Sequence, residues 1–234
     1  MIEIGTLDRV TAVVGERGTG KSTWAALDAR TFQRETGGFV IAHSPKGQIG
    51  AASDVSMHNT VKKAARAMRW DPGRVHVVTD DPPELVIDYA RDLALAVRKK
   101  AHRDQNVKFR DNRPAPKGLK APPVLVIVDE GTHLKRGMTN HEIEELQKFL
   151  TSARHEHVAV TMLTQAPNAR AWVYQEQASR FRIFRYLHEW GLNAIRAAAI
   201  PQEHLQAIRD LPKFRYFRFD KDAPHAARFE KLPG

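Results

Sequence analysis

Eight consecutive residues restrict this chain more than any other feature. Gly15-Glu16-Arg17-Gly18-Thr19-Gly20-Lys21-Ser22 satisfies G-x-x-x-x-G-K-[ST] at every position. Such a segment works only as a tight connection from a buried strand into a helix. Its backbone N–H groups and the positive helix N-terminus must face one anion together. The flanks comply: residues 9–14 are a short apolar run, and 22–35 are helix-compatible before Gly37 and Gly38 stop them. The motif predicts a cradle for the phosphates of ATP. Lys21 would reach the β- and γ-phosphates and Ser22 would ligate Mg²⁺. Glu16, Arg17, Thr19 and Thr23, with Gly15, Gly18 and Gly20, complete the expected nucleotide-binding set.

The rest of the chain alternates in the same way. Strands are expected at 38–43, 74–79, 124–128, 158–163, 179–187 and 214–219. Helices are expected at 59–70, 84–101, 140–154, 190–199 and 202–211. In the longest helix, Leu85, Tyr89, Leu93 and Val97 recur every four residues as an apolar stripe. This order predicts an α/β fold with a mainly parallel sheet and helices on both faces. The 234 residues, 42% of them hydrophobic, suit one domain over 1–234. With no cysteine, disulfide scaffolds, thiol catalysis and Cys-ligated zinc are excluded. The longest clean apolar run, 124–128, is far short of the ~20 residues that span a bilayer. The first ten residues carry no basic-then-apolar leader pattern, so no secretion or membrane span is expected.

Two further strand ends carry chemistry. The run Val124-Leu125-Val126-Ile127-Val128 ends in Asp129-Glu130. Asp129 would hold the magnesium shell, and Glu130 would orient or deprotonate the attacking water. The paired acids favour hydrolysis over phosphoryl transfer to a metabolite. The strand at 158–163 leads through Thr164 into Gln165. In parallel sheets ligands bind at the carboxyl ends of strands. Gln165 could there contact the attacking water or the γ-phosphate, or lie in a surface loop. His155 and His157 lack a carboxylate partner at helical spacing, so no zinc is assigned.

The succession of phosphate cradle, Asp129-Glu130 strand, Ser152-Ala153-Arg154-His155 and Thr164-Gln165 resembles the FtsK/HerA superfamily of DNA-pumping ATPases. The Arg154-His155 pair before the glutamine strand is most similar to genome-packaging ATPases of tailless, membrane-containing double-stranded-DNA viruses. The resemblance covers roughly residues 9–220 and implies a RecA-like P-loop NTPase fold. It implies Gln165 as sensor of the γ-phosphate. It also implies a homo-oligomeric ring around DNA, with an arginine of one subunit against its neighbour's nucleotide. Arg154 is the first candidate for that arginine, with Arg180 and Arg74 as alternatives. The expected activity is Mg-ATP hydrolysis driving double-stranded DNA into a preformed capsid, in the host cytoplasm or at the virion vertex with capsid vertex proteins as partners. Alternatives are another FtsK/HerA-type DNA or phage-assembly motor, a P-loop small-molecule kinase, or a nucleotide-gated switch.

A net charge of +10 suits a polyanionic partner. The segment 102–123 has four prolines and few apolar residues, and reads as a mobile loop without a core. Its Arg103, Lys108, Arg110, Arg113, Lys117 and Lys120 outnumber Asp104 and Asp111, which fits sequence-independent backbone contact or an ordinary solvated insertion. Lys135-Arg136, just past the acidic strand end, could couple nucleotide state to DNA. The alternating basic and aromatic runs at 180–185 and 213–218 read as edge strands protected by charge.

Overall fold

Val124, Leu125, Val126, Ile127 and Val128 are each 0% exposed, so this run is buried on both faces, as interior parallel strands are. The computed structural model describes the chain except residues 4–8, 51–54, 110–115, 130–139, 154, 166–176, 187–199 and 234, and only the backbone of 3, 50, 70 and 140–143. The strands are β1 (Ile2–Glu3), β2 (Val10–Val14), β3 (Phe39–His43), β4 (Val55–His58), β5 (Val75–Val78), β6 (Lys120–Ala121), β7 (Val124–Val128), β8 (Val158–Thr164), β9 (Arg180–Phe184), β10 (Arg215–Asp220) and β11 (Arg228–Lys231). The helices are α1 (Lys21–Thr36), α2 (Val61–Trp70), α3 (Pro83–Asp104), α4 (Asn140–Ser152) and α5 (Glu203–Arg209). Among the described residues, nine strands form one sheet in the order β11-β10-β9-β2-β8-β7-β3-β5-β4. The expected α/β class with a mainly parallel sheet is what is observed. The helix expected at 190–199 lies outside the described residues.

By internal contacts the chain forms two compact units. The first comprises Met1–Arg9, Ala25–Val128 and Thr151–Val160. Within it, β7, β3, β5 and β4 run parallel, with β3 between β7 and β5. Helix α3 turns Val86, Ile87, Ala90, Ala94 and Ala101 inward, whereas Leu85 is 48% exposed. The buried stripe is therefore displaced by one residue from the 85-89-93-97 series that the sequence suggested. Alanines let the helix axis approach the sheet closely, and the larger side chains flank the contact. The helix also runs on to Asp104, and Leu119 and Ala121 are buried against Ala101, Val97 and Val107. Both described ends of the 102–123 segment therefore do build a small core, contrary to the expectation of none. Strand β6 within it pairs antiparallel with β1. Residues 110–115 are outside the description. His157, which the sequence set aside as a zinc ligand, is buried with its Nε2 2.9 Å from the Ala121 carbonyl. Burial lowers its pKa, the Ala121 hydrogen bond opposes that, and the Arg98 charge adds to the lowering.

The second unit comprises Val10–Trp24, Asp129–Leu150 and Thr161–Gly234. In it β2 pairs parallel with β9, and β10 and β11 continue antiparallel. On α4, Leu146, Phe149 and Leu150 are buried as their spacing predicts. The runs expected as protected edges are interior strands: β9 lies between β2 and β10, and β10 between β9 and β11. Arg182 and Arg218 within them are matched by the acids Asp220 of β10 and Glu230 of β11. Arg182, 7% exposed, donates from Nη1 to Asp220 at 2.7 Å, and Arg218 donates to the other Asp220 oxygen at 2.9 Å. Burial would raise the Asp220 carboxyl, but these two guanidinium groups outweigh it and hold it below its ordinary value. Replacing Arg182 by Ala leaves the half-buried Asp220 carboxylate with Arg218 alone, and is expected to cost about 1–3 kcal/mol of unfolding free energy in denaturant titrations.

Candidate nucleotide site

Strands β2 and β8 run in the same direction, since Val160 N–H donates to the Arg9 carbonyl and Gly15 N–H to the Thr164 carbonyl. Strand β7 starts beside β8 in the same sense, with Val124 N–H on the His157 carbonyl. The carboxyl ends of β2, β8 and β7 therefore lie on one edge of the sheet, in that spatial order. The phosphate-cradle sequence follows β2, Gln165 follows β8 and Asp129 follows β7. All three belong to the second unit.

The loop itself is a built object. Gly18 and Gly20 have φ of 76° and 111°, which lets the backbone curl and turn successive N–H groups to one side. The Glu16 carbonyl closes the curl: it accepts from Thr19 Oγ1 at 2.8 Å and from Lys21 Nζ at 2.7 Å. The Lys21 side chain is thus folded over the loop, and the residue is only 7% exposed. The first helical hydrogen bond of α1 runs from Trp24 N–H to the Gly20 carbonyl, 2.9 Å. Ser22 stands in the first turn, and Asp129 is 6% exposed at the end of β7. A serine hydroxyl and a carboxylate are hard oxygen donors, the chemistry that Mg²⁺ takes. A curled backbone with an adjacent ammonium suits a polyphosphate in the same way.

Three supports come from residues that sequence reasoning did not single out. Glu16 N–H donates to the Arg185 carbonyl at 3.1 Å, and Arg185 Nε lies 3.8 Å from the Glu16 carboxylate. Thr19 accepts at its carbonyl from Phe214 N–H, 2.9 Å. A Cβ on Gly15 would meet Phe184 Cβ at 2.6 Å, so β9 presses directly on the loop. Tyr186 is buried nearby in sequence, and burial, then the Glu16 charge, push its hydroxyl pKa up. Behind α1, Trp24 meets Tyr216 edge to face at 6.5 Å and carries the Arg182 guanidinium 5.8 Å from its ring centre. Burial, then the hydrogen bond to Glu230, push the Tyr216 hydroxyl up to about 12. The only sequence signal for these supports was the Arg–Phe alternation, and it does not say which residue meets the loop.

Of the other expected site residues, Gln165 is half-buried at the end of β8. Glu130 and Arg154 lie outside the described residues, as do Lys135 and Arg136. Arg74 pairs with Asp71 at 2.7 Å on an exposed turn of the first unit, and Arg180 opens β9 half-buried in the second.

Fold and site together define a P-loop NTPase architecture of the RecA-like kind. Solved structures share it along almost the whole chain. The genome packaging NTPase B204 from Sulfolobus turreted icosahedral virus 2, in complex with AMPPCP, superposes with a TM-score of 0.64 at 15% identity, over 97% of this chain and 98% of its own. The pCW3 conjugation coupling protein TcpA, with ATPγS, gives 0.58 at 16% identity, over 93% of this chain and 62% of its own. EssC from Geobacillus thermodenitrificans gives 0.54 at 13% identity, over 92% and 38%. No protein-family profile matches the sequence, and no curated protein sequence matches it.

Proposed function

We propose that this chain is a Mg-ATP-hydrolysing motor that moves double-stranded DNA and packages a viral genome into a preformed capsid. The observation that carries the reading is the joint placement of the phosphate loop, Asp129 and Gln165 at the carboxyl edge of adjacent parallel strands. It is supported by a fold shared end to end with a genome packaging NTPase. Loop N–H groups and Lys21 bind the triphosphate. Ser22 and Asp129 hold magnesium, which when bound offsets charge on the phosphate oxygens. Glu130 orients the attacking water and takes its proton, and Gln165 reports the presence of the γ-phosphate.

A ring of identical subunits brings an arginine onto the neighbour's nucleotide, with Arg154, Arg180 and Arg74 as the candidates. The contact with DNA is to the backbone and independent of sequence. Arg103, Lys108, Lys117 and Lys120 are all exposed on the 102–123 segment, where they can meet phosphates. The motor acts in the host cytoplasm or at the virion vertex, against capsid vertex proteins.

Steady-state ATP hydrolysis with and without double-stranded DNA, titrated over salt, tests the reading. DNA is expected to stimulate turnover, and the stimulation is expected to fade between about 50 and 200 mM salt as counterion release weakens binding. Hydrolysis that is indifferent to DNA at every salt concentration, with a phosphorylated small-molecule acceptor found instead, overturns it in favour of a kinase.

A further inference from the structure

We propose that Phe214 is the platform on which the nucleotide's base stacks. The inference rests on the nucleotide reading above and extends it from the phosphates to the rest of the ligand. Phe214 is a large apolar residue left 48% exposed. It holds φ of 62°, a left-handed conformation that a bulky side chain rarely adopts. Two backbone hydrogen bonds hold it there: its N–H donates to the Thr19 carbonyl, and its carbonyl accepts from Leu232 N–H, both at 2.9 Å.

The ring is set directly on the phosphate loop. A Cβ on Gly20 would lie 2.9 Å from Phe214 Cδ1, 3.0 Å from Leu232 Cδ1 and 3.3 Å from Phe184 Cε1. The loop thus has glycine where this aromatic and aliphatic wall closes on it. Gly20 immediately precedes Lys21 and Ser22, the residues placed on the phosphates and their magnesium. A flat, half-open aromatic fixed beside that point meets the next part of a nucleotide, its sugar and base. Lys213 and Arg215 on either side are exposed and give the approach a positive charge that suits a polyanion. A phenyl face stacks on any base and offers no hydrogen bond, so it recognises the presence of a base rather than its identity.

Calorimetric titration of the whole protein with Mg-ATP and with Mg-tripolyphosphate tests this. Wild type is expected to bind ATP more tightly than tripolyphosphate. Phe214→Ala is expected to weaken ATP about 5- to 150-fold while leaving tripolyphosphate unchanged. Phe214→Leu keeps the apolar contact with Gly20 and removes the aromatic face, so it is expected to behave like the alanine variant, and Phe214→Tyr like wild type. Equal weakening of both ligands would make Phe214 a support of the loop only and overturn the inference. Unchanged ATP affinity in the alanine and leucine variants would overturn it too. Wild type binding neither ligand would instead remove the nucleotide reading beneath it.

Discussion

Replacing Lys21 by Ala is expected to weaken ATP binding about 10- to 100-fold and to lower the rate of hydrolysis a further 10²- to 10³-fold. The first figure corresponds to the loss of a charge-assisted hydrogen bond, roughly 1.5–3 kcal/mol. The second is the usual cost of removing one donor aimed at charge that develops in a transition state. The variant should remain folded. Lys21 is a buried ammonium in the first turn of α1, where the helix dipole opposes a cation. Its removal also frees the Glu16 carbonyl, which keeps Thr19 Oγ1 as a donor. Thermal unfolding together with ATP titration separates the two effects. A variant that melts early and still binds nucleotide would show that Lys21 serves the loop's shape instead of the phosphate.

Replacing Glu130 by Gln is expected to do the reverse: keep ATP binding and stop turnover. The amide matches the carboxylate in shape but cannot accept the water's proton, and such a loss is worth about 10²- to 10⁴-fold in rate. Single-turnover hydrolysis with pre-bound nucleotide measures it directly. The result discriminates between readings. A nucleotide-gated switch would keep its function with the glutamine, whereas a motor stalls with ATP in place. A rate within about threefold of wild type would move the base to another residue and sink the assignment of Glu130.

How much of this was legible in the sequence varies from element to element. The phosphate loop was read residue by residue, because the glycine pattern is itself the backbone requirement: Gly18 and Gly20 do hold positive φ, and Gly15 and Gly20 do lie against side chains that exclude a Cβ. The continuous run at Val124–Val128 was equally plain, since only a strand covered on both faces is apolar at every position. Short strands were lost. Val55–His58 mixes exposed and half-buried residues, and Arg228–Lys231 is mostly charged. Neither has a periodicity to detect, and each is a strand only because a neighbour pairs with it. The stripe on α3 was misplaced by one residue because large side chains weigh most in a hydrophobic count, while alanines make the closest contact with the sheet. The basic runs in β9 and β10 read as edges in the sequence because the acids that neutralise Arg182 and Arg218, Asp220 and Glu230, are contributed by other positions of the ladder.

The sequence by itself determined the class of the fold, the glycine-rich loop between β2 and α1, and the polar residues that follow two of the strands. Each of these is encoded locally, in the φ values glycine permits and in the alternation of buried strands with amphipathic helices. Tertiary structure alone decided that β8 lies between β2 and β7, and hence that Gln165 and Asp129 follow successive strands to one side of the loop's own strand. It alone decided that Arg185 and Phe214, from the far end of the chain, hold Glu16 and Thr19 in place. Strand neighbours are chosen by non-local hydrogen bonding and by burial summed over the whole sheet. A position that is distant in sequence acquires its role only when that pairing closes.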